Sequence, residues 1–284
     1  MKYYIVTFTV EPNTEAARDL LAALAGEAGF ETFEETESGL NGYVQQGMFH
    51  SETLDEIIAS FPLPNTTIGY SVQEADDKDW NEAWEREGFE PITIPLPYST
   101  LVIHDGRHLP ENTYGATLIQ IDAKQAFGTG THDTTQMIVS QLASMSLQGL
   151  RVLDCGCGTG ILGIAAAKLH AREVVAYDID EWSVENTRHN AALNKVELDV
   201  LHGDAQVLTH VSGLFDVVLA NINRNILLED MPCFKELMAA NATLIMSGFY
   251  EDDVPLLIDK ASQLGLIYEG TRAQGEWRCI VLKN

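Results

Sequence analysis

Val152-Leu153-Asp154-Cys155-Gly156-Cys157-Gly158-Thr159-Gly160 places three glycines at alternate positions, directly after an apolar run and directly before Ile161-Leu162-Gly163-Ile164-Ala165-Ala166-Ala167-Lys168. Residues 151–154 read as a short buried strand. The run from Ile161 reads as a helix, whose first-turn N–H groups have no partners inside the helix itself. Glycine lets the backbone turn tightly and lets a ligand approach it closely. A nucleotide-like ligand is therefore expected over this turn, although the turn alone suits a dehydrogenase, a methyltransferase or a purely packing role.

The next acidic position narrows the choice. Glu173-Val174-Val175-Ala176-Tyr177-Asp178 is a second apolar strand, and it ends in a carboxylate eighteen residues past Gly160. A carboxylate there can accept both hydroxyls of a ribose. The dinucleotide fingerprint is Gly-x-Gly-x-x-Gly, with a pyrophosphate lying at the helix N-terminus. Here the spacing is Gly-x-Gly-x-Gly, Asp154 precedes the turn, and no lysine follows it as a P-loop requires. An acceptor at Asp154 suits a cationic ligand better than a pyrophosphate. S-adenosylmethionine, an adenosine carrying a sulfonium and an amino-acid tail, meets these conditions.

Strand and helix patterns alternate from about residue 150. Strands are expected at Val152, Val174, Val200, 215–220 and 242–247, and helices around Leu162, Ser183 and Ile226, with late strands at 266–269 and 278–282. Such alternation predicts an α/β fold with a doubly wound, Rossmann-like parallel sheet. Ligands of such sheets lie at the carboxyl ends of the strands near the switch point, where the glycine turn, Asp178 and Asn221 all fall. Upstream, residues 3–10 alternate as a strand, and Asn13 is expected to cap a helix through Ala16, Leu20 and Leu24. Strands are expected at 30–36 and 42–49 around the turn 38–42. Thr53 and Glu56 suggest a capping box, and 66–73 a last strand. The order β-α-β-β-α-β predicts a small α+β, ferredoxin-like unit over residues 1–73. An acidic helical stretch over 74–92, with Trp80 and Trp84 on one face as packing anchors, is expected to link it to a second domain over 93–284.

Composition bounds the partners. Seventeen basic against 42 acidic residues give a formal net charge of −25, which opposes direct, stable nucleic-acid binding because phosphate contacts need lysine and arginine. Residues 1–60 hold two basic and eleven acidic side chains, which suits a basic partner and equally a merely solubilising surface. Four scattered cysteines and eight unclustered histidines give no disulfide framework and no metal site. No apolar run approaches membrane-spanning length, and the start leads directly into a strand, so a soluble, cytoplasmic protein is expected; a monomer is the accompanying expectation.

Phe127-Gly128-Thr129-Gly130-Thr131-His132-Asp133-Thr134-Thr135 is the second unusual segment. Its glycines and hydroxyls suit a loop folding over a ligand, while a threonine before an apolar helix also serves as a cap. Asn221, at the end of 215–220, can offer its amide to a nucleophilic amine or to the cofactor, or can simply form a turn. Asp204 after His202-Gly203 can bond an exocyclic adenine amine, or can be an ordinary loop acid.

These segments together resemble the class I S-adenosylmethionine methyltransferases, and more closely the bacterial ribosomal protein L11 methyltransferase family. The resemblance spans nearly the whole chain: the acidic small N-terminal unit, Asp79-Trp80-Asn81-Glu82-Ala83-Trp84, the loop from Phe127, the glycine turn, Tyr177-Asp178-Ile179-Asp180, and Ala220-Asn221-Ile222-Asn223. It implies that Thr135, Gly156, Asp178 and Asn221 contact the cofactor. Gly158, Gly160 and Asp204, with Phe127, Gly128 and Thr129 of the loop, complete the expected cofactor-binding set, and Asn221 is expected to orient the acceptor amine. The implied activity methylates lysine ε-amines and the N-terminal amine of a ribosomal protein that the N-terminal domain recognises. Two departures from the family pattern stand out: Asp133 where many members have proline, and the polar pair Asn223-Arg224 where many have small residues.

Two alternatives are a methyltransferase for another protein amine or amide or for a nucleobase, and a cofactor-binding protein without catalysis. Nucleobase and glutamine methyltransferases usually carry Asn-Pro-Pro-aromatic where this chain has Asn221-Ile222-Asn223-Arg224, which weighs against the first. The complete loop, Asp178 and Asn221 weigh against the second. A free lysine amine titrates at about 10.4, so the acceptor must lose its proton before attack, and no general base stands out in the sequence. The acidic charge is accordingly expected to lie away from the reaction centre.

Overall fold

The structure is a computed structural model that describes residues 3–36, 38–63, 66–74, 88–122 and 132–284. The linker stretch around Trp80 and Trp84 lies outside the described residues. Two compact units divide the chain, Met1–Trp80 and Asn81–Asn284.

The first unit runs β1 (Tyr3–Glu11), α1 (Glu15–Ala25), β2 (Phe30–Thr36), β3 (Gly39–Gln45), α2 (Ser51–Ala59) and β4 (Thr67–Glu74). Its antiparallel sheet has the order β2-β3-β1-β4, the arrangement of a ferredoxin-like unit. Alternate residues of β1, Val6, Phe8 and Val10, are buried against Leu21 and Ala25 of α1 and Leu54 of α2, as the two-residue period of a half-covered strand requires. Some local signals resolve differently from the sequence expectation. Thr14, not Asn13, caps α1, with its hydroxyl accepting from Ala17 N, while Asn13 accepts instead from Arg18. No side-chain cap starts α2, which begins at Ser51, so Thr53 and Glu56 lie within the helix. Strand β3 starts at Gly39 and ends at Gln45 because its pairing with β1 begins opposite Thr9.

In the second unit, β5 (Ile92–Pro95), β6 (Thr100–His104) and β7 (Thr117–Gln120) form a three-stranded sheet, with β6 and β7 parallel. Helix α3 (Asp133–Ala143) precedes the alternating series β8 (Arg151–Cys155), α4 (Ile161–Lys168), β9 (Glu173–Asp178), α5 (Glu181–Asn194) and β10 (Asp199–His202). The series continues through β11 (Phe215–Asn221), α6 (Arg224–Leu237), β12 (Met238–Tyr250), α7 (Val254–Gln263), β13 (Ile267–Gln274) and β14 (Trp277–Lys283). The seven strands take the order β10-β9-β8-β11-β12-β14-β13. The first five run parallel, and β14 is antiparallel to both its neighbours.

In this sheet both faces of the inner strands β8, β9 and β11 are covered, so these strands read as near-continuous apolar runs, while β13 at the edge is largely exposed. Val152, Val217 and Leu219 face one core, shared with Ile138 and Leu142 of α3 and Ile164 of α4. Leu153, Val218 and Ala220 face the other, shared with Leu227, Met231 and Phe234 of α6 and Leu257 of α7. The chain leaves β8 toward β9 and β10, then returns to the other side of β8 as β11. That reversal opens a crevice between the carboxyl ends of β8 and β11, the place where open α/β sheets bind ligands.

Candidate functional site

The glycine turn occupies the β8 side of this crevice. Gly156, Gly158 and Gly160 have φ of 68°, 54° and 79°, in the left-handed region that residues with a Cβ rarely enter. Space imposes the same restriction, since a Cβ on Gly156 would stand 2.5 Å from Ile222 Cγ2, and one on Gly160 would stand 2.7 Å from Thr187 Cγ2. The turn is held from below by Gly156 N and Cys157 N donating to Tyr177 O at 2.9 and 3.0 Å.

Asp154 is fully buried. Its Oδ2 accepts from Gly163 N at 2.8 Å, while Oδ1 has no partner among the described residues. Burial is the main cause that pushes this carboxyl up to about 7; the Gly163 bond opposes the shift and the charge of Asp178 adds to it. An unsatisfied buried acceptor costs free energy until a donor or a cation reaches it. At the end of β9, Asp178 accepts from Gly158 N at 2.9 Å through Oδ2 and from Asp180 N at 3.0 Å through Oδ1. A carboxylate oxygen offers about two acceptor sites, so each retains capacity for a ribose hydroxyl. Asp178 therefore also braces the glycine turn, a role its spacing did not reveal.

Across the crevice, Asn221 ends β11 and its Nδ2 donates to Thr135 Oγ1 at 3.3 Å. Thr135 is completely buried in the first turn of α3. Two residues 86 positions apart thus meet at one strand end. Asp204 lies apart from this pair. It is exposed and caps the short turn after β10, its Oδ1 accepting from Gln206 N at 2.9 Å. Phe127, Gly128 and Thr129 lie outside the described residues.

The residues that depart from the family pattern have structural partners. Asp133 is the first residue of α3, and its Oδ1 accepts from Gln274 Nε2 at 2.8 Å. Asn223 caps α6 by accepting from Asn225 N and Ile226 N. Arg224 pairs with Asp253 at 2.7 Å, and nearby Arg278 pairs with Glu251 at 2.6 Å. Each of these rim carboxylates accepts from a cation or an amide. No group of three or more His, Cys, Asp or Glu suited to a metal occurs among the described residues. Among them, no helix is long and apolar enough to cross a membrane.

An aromatic rim escaped the sequence reading. Trp277 stacks on Tyr250 with ring centroids 4.4 Å apart, and His132, the cap of α3, meets Trp277 edge-on at 4.8 Å. Register places Asn221 beside Ser247 of β12 and Tyr250 beside Trp277 of β14. The rim therefore stands about three residues beyond Asn221, at the carboxyl end of the sheet. The signal available in the sequence was weak: a lone tryptophan after Gly275-Glu276 that opens a strand.

Comparison with known proteins agrees with this geometry. A family model described as Ribosomal protein L11 methyltransferase (PrmA) matches residues 13–284. Proteins named Ribosomal protein L11 methyltransferase are 45% identical in Phocaeicola vulgatus, covering 99% of this chain and 98% of that one, and 41% identical in Porphyromonas gingivalis, covering 99% and 97%. The solved structure of a ribosomal protein L11 methylase from Lactobacillus delbrueckii subsp. bulgaricus is 29% identical, with a TM-score of 0.58 over 68% of this chain and 98% of that one. A putative S-adenosylmethionine-dependent methyltransferase from Streptococcus mutans, 12% identical with a TM-score of 0.50 over 75% of this chain and 58% of that one, shares the fold. With a glycine turn, a strand-end acid and an Asn221–Thr135 pair assembled on a doubly wound sheet, and with a family model covering nearly its whole length, this chain belongs to the ribosomal protein L11 methyltransferase family.

Proposed function

We propose that the protein transfers methyl groups from S-adenosylmethionine to lysine ε-amines and to the N-terminal amine of ribosomal protein L11. The buried Oδ1 of Asp154, with no partner among the described residues, beside three glycines of positive φ carries the donor assignment. A cationic ligand against that oxygen relieves the cost of leaving it unsatisfied, and the missing Cβ atoms of Gly156 and Gly160 make room for Ile222 and Thr187, which pack against the bent turn. Asp178 receives the ribose hydroxyls, with Gly156, Gly158 and Gly160 under the ligand. Phe127, Gly128 and Thr129 contribute from the loop and Asp204 from the adenine side. When bound, the donor supplies an electrophilic methyl on a positively charged sulfur.

The chain's own work is positional, because an in-line transfer to a neutral amine needs alignment and no covalent enzyme intermediate. Asn221, fixed by Thr135, orients the amine through its side-chain oxygen so that the lone pair faces the methyl. Partial desolvation at the crevice lowers the amine's affinity for its proton, and pairing of Asp133, Asp253 and Glu251 with neighbouring donors keeps them from opposing this. Residues 1–73 serve as the recognition domain for a basic substrate protein, 74–92 as the linker and 93–284 as the methyltransferase domain, in a monomeric cytoplasmic enzyme.

The test is to incubate the full chain with labelled S-adenosylmethionine and unmethylated ribosomal proteins, then map the label by mass spectrometry. Label on lysines and the N-terminus of L11 is expected. Label confined to RNA, or to another protein, would overturn the substrate assignment.

A further inference from the structure

Helix α5 carries Asn186, Asn190 and Asn194 at four-residue spacing, each no more than 5% exposed, with Thr187 fully buried beside them. Residues so spaced share one helix face. Asparagine is a mediocre helix former and costly to bury without partners. These side chains find their partners mainly in main-chain atoms of two other segments.

The first segment is the end of β7. Asn194 accepts from Gln120 N at 2.9 Å through Oδ1 and donates Nδ2 to Gln120 O at 2.6 Å. One turn earlier, Asn190 Oδ1 accepts from Asp122 N at 2.9 Å, and Asn186 Nδ2 donates to Asp122 O at 2.9 Å. Gln120 and Asp122 are alternate residues, whose backbone groups point to the same side of an extended chain. The stripe thus stands where a neighbouring strand would, along the edge of the small sheet.

The second segment is the glycine turn. Asn190 Nδ2 donates to Thr159 O at 2.9 Å, and Thr187 Oγ1 donates to Gly158 O at 2.9 Å. Because a peptide is planar and trans, drawing the Gly158 carbonyl into α5 aims the Thr159 N–H the opposite way, away from that helix. Asn190 therefore ties the turn and the chain at Asp122 into one hydrogen-bonded unit.

We propose that Asn190 and Thr187 are positioning residues for methyl-donor binding, holding the glycine turn in its ligand-facing orientation and fixing it to Asp122. The proposal rests on the donor site assigned above. It separates these two residues from Asn194, which among the described residues beyond its own helix bonds Gln120 alone and acts as a clasp for β7.

Three variants of the full chain test it by calorimetric titration with S-adenosylmethionine and by thermal melting without ligand. Asn190→Asp keeps the shape but turns an oxygen toward the Thr159 carbonyl, and Thr187→Val keeps the shape but removes the hydroxyl. Asn190→Asp is expected to lose donor affinity by about tenfold or more and Thr187→Val by about threefold or more. In steady state the donor KM rises while kcat at saturating donor is retained. Asn194→Ala is expected to melt earlier and bind donor as the wild type does. If Asn190→Asp fails to fold, Thr187→Val decides alone. Wild-type affinity in Thr187→Val and in a folded Asn190→Asp, or an equal loss in Asn194→Ala, overturns the proposal. A wild-type protein that binds no donor overturns the donor site itself.

Discussion

Helices α4 and α5 follow successive strands of one sheet and both border the candidate donor site, yet they are held by different physics. In α4 the buried residues are Ile161, Leu162, Gly163, Ile164, Ala165 and Ala166. In α5 they include Ser183, Asn186, Thr187, Asn190 and Asn194, with only Val184 and Ala191 apolar. Hydrophobic burial is non-directional, so α4 is stabilised by area and shape. Hydrogen bonds are directional, so α5 is fixed in register to the chain it touches. One helix provides stability under the turn; the other sets the turn's orientation.

The largest expected effect probes α4. Ile164→Ala, at a fully buried position, should cost about 2–5 kcal/mol of stability in a denaturant titration, while the folded fraction binds donor with unchanged affinity. A large loss of affinity would mean that α4 also sets the turn. Next, Asp178→Ala, at the strand end leading into α5, should weaken donor binding by about 1.5–3 kcal/mol, measured by calorimetry, by removing a charged acceptor and the brace on Gly158 N. Unchanged affinity would mean that the ribose is held elsewhere.

Asn194→Ala should lower stability by about 1–2 kcal/mol in the same titration, because the Gln120 N–H and C=O lose their partners. No loss would show that water replaces the amide and that the stripe is less directional than the geometry indicates.

The remaining test is a pH dependence at Asp154, smallest when read over a single pH unit. Burial raises this carboxyl from its ordinary 3.8 to about 7, so between those values the folded protein holds a proton that the unfolded chain has released. The group's contribution to stability is full below that window and is lost as pH rises through 7. A cation against Oδ1 favours the ionised form, so donor affinity should rise with pH through about 7, by at most tenfold per unit for one proton. Asp154→Asn should flatten that profile. A flat wild-type profile would place the donor's charge elsewhere.

Legibility followed the same division. The α4 side was readable because Gly-x-Gly-x-Gly, the apolar strands and the uninterrupted apolar helix are local patterns. Asp178 was readable by its distance from the turn, and Asn221 by its place at a strand end, but the bond between Asn221 and Thr135 joins residues 86 positions apart. Trp277, Tyr250 and His132 come from three separate segments. The polar stripe of α5 reads in sequence like an ordinary solvated helix face, and burial by Gln120, Asp122 and the glycine turn reverses that meaning. Thr14 displaced Asn13 as the cap of α1 because both can cap and the chain's path chose between them.

Local pattern was enough for the alternating order of strands and helices and for the glycine turn with its flanking acids. These depend on hydrophobic period and on backbone conformations that glycine adopts without strain. Contacts between distant segments were needed to leave an oxygen of Asp154 buried with no partner among the described residues, to bring Asn221 to Thr135, to stand an aromatic rim beyond them, and to turn the asparagines of α5 inward. Each of these depends on which distant backbone closes over a side chain, and a polar residue's role changes when water is removed from around it.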